Sequence, residues 1–406
     1  MTGLTPRSKA HPPIETRAVA HFLLQESDTT PRPGQNAASE EIHHVRVAIV
    51  HYWLLRMRGG EKVIESLCEL YPQADIFTHV YDAAGVSDTI RRHKVTTSFI
   101  SKLPNANKWY QKYLPLMPAA LEALDLTAYD LVISSESGPA KGVIVRPDAL
   151  HVCYVHSPMR YLWDQYHAYR KTAGGLERLV MPWLFHPLRM WDVTSAARVD
   201  HFISNSSAVA QRVMKFWRRD SEVIAPPVDT GRFTPAAQRE DFYLHVGELV
   251  PYKRIDIAIE ACNALQRKLV IIGEGPERAK LERIAGPTIE FRGKVPDAAV
   301  AQAMGACRAF LFPAEEDFGI VAVEAMSAGA PVIAFGRGGA RDSVIDGKTG
   351  LYFASQTGDA LIDAILRCES TRFDAIAIAA HAAEFGKDVF KAKFATRIDA
   401  LIAGQR

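Results

Sequence analysis

The sequence concentrates its carboxylates where an apolar run gives way to a helical pattern. In Phe312-Pro313-Ala314-Glu315-Glu316-Asp317-Phe318-Gly319-Ile320-Val321-Ala322-Val323-Glu324, a strand is expected to end at Pro313. A short acidic loop follows, and Gly319 opens a helix that Gly329-Ala330-Pro331 closes. Glu316 and Glu324 have seven residues between them, so they stand about two helical turns apart and close to one face. Backbone N–H groups at Phe318, Gly319 and Ile320 lack partners within the helix and can meet phosphate or sugar oxygens at its positive end. A carboxylate there accepts hydrogen bonds from paired sugar hydroxyls, since it offers two acceptor oxygens. Acidity at a helix start is also ordinary helix chemistry, which by itself accounts for Glu315, Glu316 and Asp317. Glu324 is different, because a charge amid Val323, Ala325 and Met326 is costly to bury without a partner.

Such groups need a scaffold that holds strand ends against helix starts, and the rest of the chain reads as one. Val45 to His51 is a short β-branched run, followed by Gly59-Gly60 and a helical segment through Glu61 to Leu67. Leu131–Ser134, Val152–Val155 and His201–Ser204 resemble buried parallel strands, alternating with stretches long enough for crossover helices. Ala225-Pro226-Pro227-Val228-Asp229 is a Pro-rich break, after which the pattern restarts. Tyr243–Gly247, Lys268–Gly273, Ile289–Phe291, Ala309–Phe312 and Pro331–Ala334 are the expected strands there, with a helix over Arg254–Leu265. The expected architecture is α/β: two Rossmann-like, doubly wound parallel-sheet domains facing each other across a cleft. Residues 45–230 form the first and 231–385 the second. Residues 1–44 read as a flexible leader, and 386–406 as a terminal helix able to pack back on the first domain.

Composition excludes several function classes. Of 406 residues, 48% are hydrophobic and 23% charged, and 48 basic side chains balance 46 acidic ones. That rules out collagen-like and wholly disordered chains and gives no global case for nucleic-acid binding. The five cysteines are scattered, odd in number and free of any CxxC, which fits buried thiols in a reducing compartment. No window approaches the roughly 18 uninterrupted apolar residues of a membrane span. The protein is expected to be cytoplasmic, and the charge distribution adds a refinement. Residues 45–230 hold 22 basic and 18 acidic side chains, net +4, whereas residues 231–406 hold 22 and 23, net −1. Arg91 to Leu121 has six basic residues and no acidic one, interleaved with Trp109, Tyr110 and Tyr113. Arg160 to Trp191 adds five basic residues and seven aromatics. Basic residues mixed with Trp and Tyr suit an anionic membrane surface or a phosphate-bearing lipid.

Glu316-x7-Glu324, with the adjoining Glu316-Asp317-Phe318-Gly319 and Ala334-Phe335-Gly336-Arg337-Gly338-Gly339, resembles the E-x7-E motif of the retaining glycosyltransferases of family 4, which have the GT-B fold. The resemblance implies that Glu316 holds hydroxyls of a donor sugar and Glu324 the nucleotide ribose. Amides from Phe318 through Gly319 and Ile320 to Val321 would contact the sugar and diphosphate. Val246 to Arg254 is similar to the family's diphosphate-binding segment, with Lys253 at the expected lysine. Its cation would stabilise the departing nucleoside diphosphate. Relatives often carry Arg where this chain has Glu248, so either Arg254 supplies the second cation or Glu248 points elsewhere. Gly59-Gly60 resembles the glycine-rich loop that lets backbone approach the diphosphate and acceptor. His156, in Tyr154-Val155-His156-Ser157-Pro158-Met159-Arg160, is similar to the cleft histidine that touches the donor sugar, and Arg160 is placed to reach a phosphate. Lys141 reads as a surface lysine at a helix end. Gly273-Glu274-Gly275 lacks the third glycine of a dinucleotide fingerprint and fits a nucleotide-base loop better.

No Asp-x-Asp occurs in the chain, and the histidines show no metal-ligand spacing, so no metal site is expected. The family resemblance then implies transfer of a hexose, with mannose from GDP-mannose foremost, to a polyprenyl-diphosphate-linked oligosaccharide at the inner membrane surface. Exopolysaccharide or lipopolysaccharide assembly is the corresponding setting. UDP-glucose or UDP-galactose as donor, and nucleotide-sugar epimerisation, remain alternatives at this level. No resident cofactor and no nucleic-acid partner are expected.

Overall fold

A computed structural model describes residues 45–236 and 238–405; the leader expected over residues 1–44 lies outside the described residues. The first sheet contains β1 (Val47–His51), β2 (Asp75–Thr78), β3 (Val95–Thr97), β4 (Leu131–Glu136), β5 (Leu150–Val155), β6 (His201–Ser204) and β7 (Glu222–Val223). Their spatial order is β3-β2-β1-β4-β5-β6-β7. The second contains β8 (Tyr243–Val246), β9 (Leu269–Ile272), β10 (Ile289–Gly293), β11 (Ala309–Phe312), β12 (Val332–Phe335) and β13 (Gly350–Phe353), in the order β10-β9-β8-β11-β12-β13. Every strand pairing in both sheets is parallel. The fold is therefore the expected pair of Rossmann-like sheets with a cleft, the GT-B architecture.

The reason is legible in the side chains. All residues of β1, β4 and β5 are buried, as are those of β9, β11 and β12, so these runs must be covered on both faces. Helices supply the cover, and the second sheet has one apolar cluster around Phe310, Val323 and Met326 and another around Ile257, Leu311 and Leu361. Strand order reverses between β1 and β4, and again between β8 and β11. Loops that leave the carboxyl ends of these strands diverge and leave a crevice, where ligands of open α/β sheets bind. The two sheets thus each offer one crevice to the same cleft.

Four strands escaped the sequence reading, for physical reasons. Asp-Ile-Phe-Thr of β2 begins and ends on polar residues, Val-Thr-Thr of β3 has only three residues, and β7 is a two-residue exposed edge. Gly350–Phe353 of β13 follows a turn and forms the edge of its sheet beside β12. The helix Lys387–Gln405 lies on the first sheet's core, where Phe390, Phe394, Ile398 and Leu401 join Val47, Ile49 and Tyr154. Lys387 and Lys391 each reach Glu69 at 3.1 Å on the helix Gly59–Leu70. All five cysteines are free and buried.

Three fully enclosed histidines tie this core to pH. His79, His151 and His245 make single hydrogen bonds to Ser98 Oγ, Ser134 Oγ and the Leu311 carbonyl. Burial lowers them to about 4, about 3 and about 4 respectively. The folded chain keeps them neutral, while an unfolded chain protonates them as pH falls through about 6.5. Stability present at neutral pH is therefore lost progressively below 6.5, by roughly 2 kcal/mol per histidine at pH 5. Urea unfolding at pH 7.5 and 5.0 should show a loss of several kcal/mol; an unchanged unfolding free energy would contradict the neutral assignment.

Candidate active site

The sequence-selected groups lie in the loops and helices that follow the carboxyl ends of strands. Gly59 and Gly60 open the helix that follows β1, and His156 directly follows β5. A Cβ at Gly60 would lie 2.5 Å from the Tyr52 hydroxyl and 3.6 Å from His156 Nε2, so only glycine lets the loop pass so close. A Cβ at Gly59 would lie 3.1 Å from Ile320 Cδ1 in the other half. The glycine loop, His156 and the start of the helix Ile320–Ser327 are thereby brought together across the cleft.

In the second half, a 3-10 turn over Pro251–Lys253 follows β8, and Arg254 takes a left-handed conformation (φ 51°) before the helix Ile255–Leu265. Lys253 forms an ion pair with Glu316. Burial pulls the Lys253 ammonium's pKa down, but Glu316, Tyr252 and Glu248 together more than offset it and raise the value. Gly319 caps the next helix at φ 89°, where an added Cβ would stand 2.7 Å from the Phe312 ring. Glycine is thus required both for the backbone and for the space. Phe318 packs into the core against Phe385, leaving its backbone to shape the loop. Glu324 bonds Arg232 at 2.7 Å; burial raises its pKa, and Arg232 and Lys62 partly offset this. The partner that its apolar sequence neighbours demanded is Arg232.

Other pairings in the cleft were not legible in the sequence. Asp317 receives Arg160 at 3.4 Å and also pairs with Arg212, so one carboxylate of the second half holds two guanidinium groups of the first. Asp342 accepts the Ser207 N–H at 3.0 Å, at the start of the helix Ser207–Trp217. Between that helix and residues 337–342 lies a cavity of about 870 Å³, lined by Arg212, Lys215, Arg337, Arg341 and Glu315 among others. Behind His156, Ser135 Oγ lies 2.8 Å from His156 Nε2 and 3.1 Å from His51 Nδ1. Glu61 Oε1 is 3.9 Å from His51 Nε2. Burial, with the adjacent His51, lowers His156 to about 3, so its imidazole is neutral at physiological pH. These partners are up to 84 residues apart in sequence, and only the adjacency of β1, β4 and β5 unites them.

Arg254 bonds Asp256 through Nε and Nη2 at 3.0–3.2 Å, and Glu248 is exposed. Lys141 requires a correction: it is a fully buried residue, not a surface lysine. It pairs with Glu136 at 3.3 Å and with Asp192, while Asp192 Oδ2 also accepts the Trp163 and Trp217 indole N–H groups at 2.8 Å. The lysine is shared between two carboxylates beneath the end of β4, which the Pro139-Ala140 turn before it gave no hint of. Among the described residues, no group of three or more His, Cys, Asp or Glu is placed to hold a metal ion.

Comparison with known proteins agrees with this geometry. Residues 57–232 match the family model described as Glycosyltransferase Family 4, and residues 231–386 the one described as Glycosyl transferases group 1, a continuous span of 57–386. The chain belongs to glycosyltransferase family 4. Among curated family relatives, a GDP-mannose-dependent alpha-mannosyltransferase of Mycolicibacterium smegmatis is 39% identical over 107 residues, 26% of this chain and 28% of that protein. A D-inositol 3-phosphate glycosyltransferase of Actinosynnema mirum is 30% identical over 205 residues, 42% of this chain and 49% of that one. The chain thus spans less than half the length of these two curated relatives. Among solved structures, the lipopolysaccharide outer core galactosyltransferase WaaB superposes with a TM-score of 0.63 at 18% identity, over 88% of this chain and 99% of that one. Anabaena Alr3699/HepE in complex with UDP gives 0.65 at 17%, over 88% and 100%.

Within this family 4 chain, the Lys141 cluster is the most stringent electrostatic requirement beneath the site. Removing the ammonium leaves Glu136 and Asp192 buried without a cation, a loss of about 3–5 kcal/mol. Lys141→Ala should lower the urea unfolding free energy by that amount, and a change below 1 kcal/mol would show that the cluster does not carry the charge described.

Proposed function

We propose that the protein transfers a hexosyl group from a nucleoside diphosphate sugar to an acceptor hydroxyl, with retention at the sugar's anomeric carbon. The observation that carries this reading is the Lys253–Glu316 pair facing the glycine-capped start of the helix Ile320–Ser327. A diphosphate that meets Lys253 and the amides of Phe318, Gly319 and Ile320 takes over the cation, which frees the Glu316 carboxylate to accept sugar hydroxyls. As the glycosidic bond breaks, negative charge grows on the leaving diphosphate, and a preorganised cation and helix start stabilise it more than they do the ground state. Gly59 and Gly60 admit the diphosphate and acceptor, and Glu324 takes the ribose, with Arg232 holding it in place. Arg254 is the second cation close to the diphosphate. The acceptor hydroxyl attacks on the face the diphosphate leaves and passes its proton to a departing phosphate oxygen.

The donor we favour is GDP-mannose, supported by the curated relatives described as GDP-mannose-dependent mannosyltransferases. The acceptor is a polyprenyl-diphosphate-linked oligosaccharide at the inner face of the cytoplasmic membrane, in exopolysaccharide or lipopolysaccharide assembly. Arg212, Lys215, Arg337 and Arg341 around the 870 Å³ cavity suit an anionic group beside the donor sugar. With a panel of GDP-mannose, UDP-glucose and UDP-galactose, mass spectrometry of the lipid-linked product should show a hexose added from GDP-mannose. Glu316→Ala should lower kcat/KM at least 100-fold. Unchanged transfer by that variant overturns the site, faster turnover of a UDP sugar overturns the donor, and epimer formed from donor alone overturns the reaction class.

The groups behind His156 support the role proposed for it. A carboxylate beside His51 Nε2 favours the proton on that nitrogen, so His51 Nδ1 accepts from the Ser135 hydroxyl and Ser135 Oγ accepts from His156 Nε2–H. His156 Nδ1 then carries the lone pair that accepts a donor-sugar hydroxyl. Ser135→Ala removes the orientation but leaves the imidazole, and should reduce kcat by about 10–100-fold, equivalent to one oriented hydrogen bond. Restoration by Ser135→Thr, measured with saturating donor, separates positioning from a general loss of folding.

A further inference from the structure

The helix Gly175–Ala196 is apolar on two opposite sides. Met181, Leu188, Asp192 and Ser195 recur along one side and are buried, with Leu188 packed against Met159 and Leu162. The other side carries Leu176, Leu179, Trp183 and Met190, which are 77%, 69%, 81% and 58% exposed. Trp183 and Met190 each follow a buried residue by two positions, about 200° around the helix, so they point away from the core. Spacings of three, four and seven align the exposed residues in one stripe, widened by exposed Val180 and Leu184. A surface helix ordinarily turns polar residues outward, and an exposed stripe of this size marks a face that meets something apolar.

Its surroundings say what. Arg170, Lys171 and Arg178 are exposed beside the stripe, and Glu177 is the sole acidic residue between positions 165 and 191. The acid-free stretch Arg91–Leu121 also reaches the surface, and its Leu114 packs in the same cluster as Leu188 and Phe185 on the buried side of the helix. That stretch exposes Phe99, Trp109 and Leu116 at 40%, 38% and 45%, among exposed Lys102, Lys108 and Lys112. Both segments therefore expose apolar tips set among cations. Among the described residues, no helix is long and apolar enough to cross a membrane, so such a face would lie along one.

We propose that the outer face of the helix Gly175–Ala196 inserts into the interfacial layer of a bilayer containing anionic phospholipid. Leu176, Leu179 and Trp183 enter the acyl boundary, and Arg170, Lys171 and Arg178 meet the headgroup phosphates. This deepens the acceptor reading above by naming the face that meets the bilayer, and vesicle binding without donor or acceptor tests it separately from transfer. The full chain is sedimented with vesicles of phosphatidylethanolamine and phosphatidylglycerol, and with vesicles of phosphatidylcholine alone. It should pellet with the anionic vesicles. The variant carrying Leu176→Glu, Leu179→Glu and Trp183→Glu should lose at least tenfold in partition coefficient at an unchanged Tm, since the replaced side chains support no core. Arg170→Glu with Lys171→Glu should weaken binding to anionic vesicles, roughly fivefold for each positive charge removed. Wild-type protein that stays in the supernatant, or a triple variant that binds as tightly, overturns the proposal. So does a concentration-dependent dimer, seen by sedimentation velocity, that the triple variant abolishes, because the stripe would then cover a second copy of the chain.

Discussion

An ammonium taken largely out of water is costly without an anion beside it, and this requirement organises the second half of the site. Lys253 lies at the end of β8 and Glu316 beyond the end of β11, neighbouring strands at the point where the sheet order reverses. The pair therefore exists because two divergent loops leave one crevice, and the crevice is useful because it holds a separable charge pair. Arg232 with Glu324, and Arg160 and Arg212 with Asp317, repeat the same solution nearby. In each case a cation suited to phosphate is held by a carboxylate suited to hydroxyls. A nucleotide sugar carries both kinds of group, which is why such pairs fit the proposed substrate on both sides.

The first half solves a different problem. Beside the cations Arg160 and Arg212, it contributes neutral groups: glycine backbone and a histidine kept unprotonated by burial and by its neighbour His51. Ser135 links the two imidazoles through side chains that point from adjacent strands. Below them the Lys141 cluster concentrates charge where solvent cannot reach, with two indole N–H groups completing the acceptors of Asp192. One ammonium faces two carboxylates there, and burial together with the nearby Asp192 raises the pKa of Glu136. The Asp317 ties then connect the halves through groups already at the site, and their geometry depends on the separation of the two sheets.

Much of this was legible in the linear chain. The central strands are continuous apolar runs because both of their faces are covered, so composition alone exposes them. The glycines and the glutamate pair stand at strand-to-helix junctions, where local chemistry limits what a residue can do. Short edge strands such as β3 and β7 were not legible, since pairing with a neighbour, not side-chain pattern, makes them strands. Lys141 was misread for a related reason: nothing local distinguishes a lysine that faces water from one that faces two buried carboxylates contributed by positions 136 and 192.

The sequence by itself determined the parallel α/β class, the Pro-rich division between the two sheets, the glutamates Glu316 and Glu324, and the basic aromatic stretches of the first half. These follow from hydrophobic periodicity, turn residues and charge counts, which are local quantities. Tertiary structure alone decided the partners: Glu316 for Lys253, Arg232 for Glu324, Ser135 and His51 for His156. It alone decided which aromatics of the Arg160–Trp191 stretch enter the core and which, like Trp183, face outward. Pairing and exposure are set by which strands and helices become neighbours, and that neighbourhood is a property of the folded chain.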